Sequence, residues 1–193
     1  MEFIIEKIGM SRTITVPSVP VTLLKVVETK VCEVREDGKA LVAYSSTKKM
    51  NKSIEGQQAK YGIDKAFNKF MTIRVAEGTK AGDYSTDALK EAAVIKTSLN
   101  TKGRGFSGGM KRHNFSGGPA SHGHRFGRRI GSIGMCEWPG RVQKGQKMPG
   151  QYGNVKTTVK NEVISFDAEN GILVVKGSVP GHNGARGLVR IVK

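Results

Sequence analysis

Two stretches of the chain alternate short apolar runs with tight polar turns. In VTLLKVVETKVCEVREDGKALVAYSS, residues 21–46, β-branched and aliphatic residues flank Asp37-Gly38, a dipeptide that is a strong hairpin signal. NEVISFDAENGILVVKGSV, residues 161–179, repeats the device around Asn170-Gly171, and GLVRIV closes the chain. Many short strands joined by tight turns predict a small antiparallel β-barrel or sandwich, since no such strand is stable alone. Between them, YGIDKAFNKFMTIR places Ile63, Phe67 and Phe70 at helical spacing, which predicts a short helix near residues 61–74 whose apolar stripe faces the core. STDALKEAAVIKTSLN, residues 85–100, opens with helix-favouring residues but ends as a strand leading into residue 102 and beyond.

From residue 102 to about 154 neither period is present. A loop of that length is uncommon inside a compact domain unless it is functional or disordered. Charge decides between these. The 193 residues carry 32 Lys+Arg against 16 Asp+Glu, a net of +16. Residues 1–101 hold 16 basic and 12 acidic side chains (+4), and residues 161–193 hold 4 and 3 (+1). Residues 102–160 hold 12 basic residues and the single acid Glu137 (+11), together with 14 of the 25 glycines and three of the four histidines. The division expected is therefore a globular barrel begun by residues 1–101 and completed by strands in 161–193, with residues 102–160 as a long basic, glycine-rich extension.

Such an excess of positive charge draws polyanions, nucleic acid foremost. Membrane is disfavoured: no apolar run approaches the roughly 18–20 residues that span a bilayer, and MEFIIEKIGMSRTI lacks the basic-then-apolar order of a signal peptide, so the chain reads as cytosolic. Glycine lets backbone approach phosphates, Lys and Arg supply counter-charge, and rings or guanidinium planes stack on unpaired bases. Scattered rings are present at Phe106, Phe115, Phe126, Trp138 and Tyr152, with bulky Ile130, Ile133 and Met135 that a plain polyelectrolyte linker does not need. The candidate RNA-binding residues are Lys102, Arg104, Lys111, Arg112, His113, His122, His124, Arg125, Arg128, Arg129, Trp138, Arg141, Lys144 and Lys147.

Motifs for other chemistry are incomplete. GRGFSG, residues 103–108, matches G-x-G-x-x-G, but no apolar helix comes after it to present a dipole to a pyrophosphate. GRVQKGQK, residues 140–147, misses a phosphate loop, because Gln146 precedes Lys147 and Met148 replaces the metal-binding hydroxyl. Ser116, Ser121 and Ser132 have histidines nearby but no acid to orient a base. Cys136 with His113, His122 and His124 has no ordinary zinc spacing, and Cys32 lies in an apolar run as a packed thiol. The expectation is a non-enzyme without cofactor, metal or small-molecule substrate. The rivals are a nucleotide-binding enzyme using the 103–108 glycines and a nucleic-acid chaperone or DNA-compacting protein.

KGRGFSGGMKRHNFSGGPASHGHRFGRRIGSIG, residues 102–134, continued by PGRVQKGQKMPGQYGN, residues 139–154, closely resembles the signature of the L-three family of large-subunit ribosomal proteins in its bacterial form. KIGMSR near the start and ILVVKGSVPG near the end extend the resemblance, which weakens between about 45 and 95. It implies a β-barrel domain on the solvent side of the large subunit and an extension threading ribosomal RNA towards the peptidyl transferase centre, with its tip within residues 138–154. It also implies early binding to 23S ribosomal RNA during assembly, neighbours of the L-fourteen and L-nineteen families, and a methylated glutamine at the position of Gln151. Where this chain has Ile130 family members often have proline, and where it has Met135 to Trp138 they have a short polar stretch.

Overall fold

The computed structural model describes residues 1–46 and 50–192. β1 (Glu2–Arg12) and β2 (Pro20–Val26) form a first hairpin, and β3 (Thr29–Arg35) and β4 (Lys39–Tyr44) a second. Next come α1 (Lys52–Tyr61), β5 (Lys69–Arg74), the two-residue β6 (Gly82–Asp83) and a 3-10 turn at Asp87–Leu89. β7 (Val94–Asn100) leads into β8 (Phe106–Ser107), α2 (Gly109–His113) and β9 (Gly150–Gln151). The chain ends with β10 (Lys156–Asp167), β11 (Ile172–Lys176) and β12 (Arg186–Ile191). Two compact units result: one from the residues up to Thr101 and from Lys156 onward, the other from Lys102–Val155.

In the first unit six antiparallel strands close a barrel in the order β1-β12-β7-β10-β11-β2, and β5-β4-β3-β6 form a separate sheet. The mainly β fold with a small antiparallel barrel is as the alternation predicts. β1 shows how one strand serves two cores. Side chains alternate across a strand, so Phe3 and Ile5 join Leu24, Ile95, Leu99, Leu173, Val175 and Val189 inside the barrel. Ile4, on the opposite face, joins Val31, Ala40, Val42, Tyr44 and Ile73 of the second sheet. Tyr84 packs against both clusters and lies 5.2 Å from the Phe3 ring. Each such fully buried side chain contributes about 1.5–3 kcal/mol of transfer free energy.

Both hairpins form at the sites their turn residues mark. Gly38 and Gly171 adopt φ of 67° and 63°, left-handed values that glycine reaches without a Cβ clash. At the second turn Asp167 Oδ1 accepts the backbone N–H of Glu169 at 3.0 Å, and Asn170 Nδ2 donates to Asp167 Oδ2 at 2.7 Å. That side-chain bond holds the Asp167 carboxyl below its usual range. The strand entering the basic segment is β7, and GLVRIV forms β12.

Two expectations need correction. The helix lies at Lys52–Tyr61, not near 61–74. Gly62 ends it in the left-handed conformation at φ 62°, its N–H donating to Gln58 O, and Lys69–Arg74 then pairs with β4 as strand. The spacing of Ile63, Phe67 and Phe70 arises across a turn and a strand. α1 itself buries only Gln58, whose amide donates to Phe67 O at 2.7 Å, so it carries no apolar stripe to be read. The second correction concerns a boundary: residues 156–160 are strand, paired from Lys156↔Asn100 to Lys160↔Lys96, and belong with the barrel.

Candidate nucleic-acid interface

Residues 102–155 hold ten Lys or Arg and one acid, Glu137. Among the described residues, the ion pairs that neutralise charge, such as Arg186–Glu6 at 2.9 Å and Lys176–Glu162 at 2.7 Å, all lie in the barrel unit. Among the described residues, no ion pair involves a Lys or Arg of residues 102–155.

The segment is not shapeless. Its two arms pair where β8 meets β9, Phe106 opposite Gln151 and Ser107 opposite Gly150. The pairing continues outward through Arg104 N–H to Tyr152 O at 2.8 Å and Tyr152 N–H to Gly105 O at 2.9 Å, with the Arg104 guanidinium 5.6 Å from the Tyr152 ring centroid. Residues 150–154 therefore run beside residues 103–107.

A clasp holds the next layer. Arg112, in the last turn of α2, donates to Met148 O at 2.6 Å, and a ring nitrogen of His113 lies 3.0 Å from the same carbonyl. A Cβ on Gly150 would lie 2.7 Å from the Arg112 guanidinium, so the turn and the cation are fitted to each other. Further along, Phe115 and Ile130 pack over Gly109, and Gly117, at φ 73°, leaves no room beside Met110 and the carbonyl of Gly127. Gly118 N–H donates to Gly127 O at 3.0 Å, closing the loop between them.

Of the candidate residues, Lys102, Arg104, Lys111, His122, His124, Arg125, Arg128, Arg129, Trp138, Arg141, Lys144 and Lys147 are exposed. Arg112 and His113 are half-buried in the clasp, which makes them builders of the interface before they are contacts with a partner. Phe106 and Trp138 are 79% and 87% exposed, rings that stand largely in solvent. Gln151 is exposed on β9. The clasp acceptor, Met148, escapes sequence reading because a backbone carbonyl leaves no side-chain signature.

The remaining motifs stay unassembled. The five-residue α2 comes directly after residues 103–108, and residues 140–147 lead into a turn closed by Gln146 N–H to Gln143 O at 3.3 Å. Cys136 is exposed, Cys32 is half-buried with its thiol pushed up by burial, and no cluster of three His, Cys, Asp or Glu among the described residues is placed to hold a metal. No helix among the described residues is long and apolar enough to cross a membrane.

A barrel with a separate cationic unit inserted between two of its strands is the build of a basic structural protein of the ribosomal type. Comparison with known proteins makes this specific. The family model described as Ribosomal protein L3 matches residues 85–167. The large ribosomal subunit protein uL3 of Wolinella succinogenes is 66% identical over 193 residues, and that of Campylobacter jejuni 65%, with all of both chains covered in each case. The corresponding protein of Helicobacter pylori is 59% identical over 192 residues, again across both full chains. The chain belongs to the ribosomal protein L3 family.

Proposed function

We propose that the chain is a structural, non-enzymatic constituent of the large subunit of the cytoplasmic ribosome, acting in translation through residues 102–155 as its direct contact with 23S ribosomal RNA. In this reading the segment helps nucleate subunit assembly and reaches towards the peptidyl transferase centre, while neighbouring proteins of the L-fourteen and L-nineteen families adjoin the chain. The observation that carries it is the uncompensated charge: nine of the ten Lys and Arg in residues 102–155 are exposed and face no carboxylate of their own unit except Glu137. Glycine turns keep the backbone between these cations open to phosphates, and the exposed Phe106 and Trp138 offer faces for unpaired bases. Gln151, exposed on β9, is the candidate for side-chain methylation, which peptide mass spectrometry of the protein from assembled subunits reads as one added methyl on that residue.

The test is affinity of the full chain for large-subunit ribosomal RNA as a function of salt. Six to eight of the nine exposed cations reaching phosphates give a log–log slope of roughly −4 to −7, at 0.7–0.9 per contact. Random duplex DNA binds more weakly at physiological salt, because shape and 2′-hydroxyl contacts distinguish RNA. A nearly flat salt dependence, or equal affinity for the DNA, would overturn the reading and leave a nucleic-acid compacting role.

A further inference from the structure

Within residues 102–155 the turn at Ser116–Gly118 and the stretch His124–Gly131 enclose an open cleft of about 410 Å³. Its walls are the rings of Phe115, His124 and Phe126 and the side chain of Ile130, and the guanidinium of Arg129 stands 5.4 Å from the Phe126 ring centroid. We propose that this cleft receives a single unstacked RNA base; the inference deepens the ribosomal RNA-binding reading and rests on it.

Four observations converge on that occupant. The first is shape and size: at about 410 Å³ the cleft lies within the range of ligand clefts, which begins near about 300 Å³, and has room for a flat base. The second is its faces. Phe126 is 52% exposed, and an aromatic ring beside an arginine plane is the pairing on which unpaired bases stack. The third is its edges. His124 Nδ1 accepts the backbone N–H of Phe126 at 3.2 Å, so the neutral ring carries its proton on Nε2, and this donor together with the Ser116 hydroxyl can address the polar edge of a base. The fourth is charge. No carboxylate lines the cleft, while exposed Arg125, Arg128 and Arg129 adjoin it, an arrangement that draws a phosphate-bearing chain and disfavours an acidic or purely apolar protein partner.

The floor of the cleft supplies a test that removes no charge. A Cβ on Gly118 would lie 2.7 Å from two atoms of the His124 ring and 3.0 Å from the Phe126 carbonyl, and Gly118 does not have the left-handed φ that would itself penalise alanine. Gly118→Ala therefore pushes the His124 ring out of place, and Phe126→Leu keeps an apolar side chain but removes the stacking face. The full-length chain and both variants are titrated with a large-subunit ribosomal RNA transcript, and the wild-type complex is crosslinked by ultraviolet light and mapped by mass spectrometry. The expected result is one unpaired nucleotide crosslinked within residues 115–131. Each variant should bind about 5- to 100-fold more weakly, the range for losing one base–aromatic stack, with the salt slope unchanged. Variants that bind like wild type, or crosslinks confined to other segments, would overturn the base cleft. Failure of the wild-type chain to bind the transcript at all would instead overturn the ribosomal RNA-binding reading on which it rests.

Discussion

Lys7 lies on the inward face of β1 with Phe3 and Ile5, a position at which a lysine is costly unless its ammonium is paired. It donates to Val179 O at 2.6 Å and to Gly181 O at 3.2 Å, and its backbone exchanges bonds with Ala185 O and Gly184 N. One side chain thus holds the 177–185 loop to β1. Lys7→Met keeps the apolar stem and strands the two carbonyls, an expected loss of about 1–3 kcal/mol in chemical denaturation of the full chain; an unchanged midpoint would show that the loop is held by other means. Tyr84 makes a second prediction. Burial, and then the Glu2 carboxylate, push its phenol up to about 12 from 10.0. A raised folded pKa contributes stability that is complete below the unfolded value and is lost as pH rises through the folded one. Stability should therefore fall as pH rises from about 10 to about 12, and Tyr84→Phe should flatten that part of the curve without loss at neutral pH, because the hydroxyl is buried with no hydrogen-bond partner among the described residues. Neither role is legible in the sequence: a lysine there reads as a surface residue, and only the bulge between Lys7 and Gly9 and the return of the distant loop put its head under carbonyls.

The strands were the most legible elements because two independent signals agreed on them. Apolar alternation marked β2, β3, β4, β10 and β11, and Asp-Gly or Asn-Gly marked the turns between their members. α1 failed on both counts, since KSIEGQQAKY has almost no apolar residue to repeat, while residues 61–74 imitated a helix by coincidence of spacing. In residues 102–155 the order comes from Arg112, Met148, Gly150 and the paired β8 and β9, contacts that span up to 45 positions in the chain and leave no local pattern. The neighbours Lys111 and Arg112 separate charge from architecture in this segment, because each contributes one cation but only Arg112 closes the clasp. Lys111→Ala should reduce the magnitude of the salt slope by about one contact and leave the fold alone. Arg112→Ala should in addition speed amide hydrogen exchange at residues 150–152 and weaken RNA binding beyond the effect of Lys111→Ala. Equal behaviour of the two variants would mean that the clasp does not organise the interface.

Charge and apolar pattern divide the chain along nearly the same line. The charge map puts residues 102–160 outside the core, and the compact units separate at Thr101 and Lys156, so the map errs only over the five strand residues from Lys156. Identity was legible in the glycine-anchored blocks between residues 102 and 154, whereas the face each cation presents was not, since it depends on turns set by contacts distant in sequence. Asn100 and Lys156 face each other across β7 and β10, which means that about four Gly and Ser residues can replace 103–154 without straining the barrel, a change in closure entropy of about 2 kcal/mol. That shortened chain should unfold cooperatively on heating, as its two hydrophobic clusters are untouched. Its incorporation into large subunits, measured in competition with the full-length chain in reconstitution, should fall to background. A shortened chain that melts cooperatively and still enters subunits as well as the full-length protein would contradict the assignment of residues 102–155 as the RNA anchor.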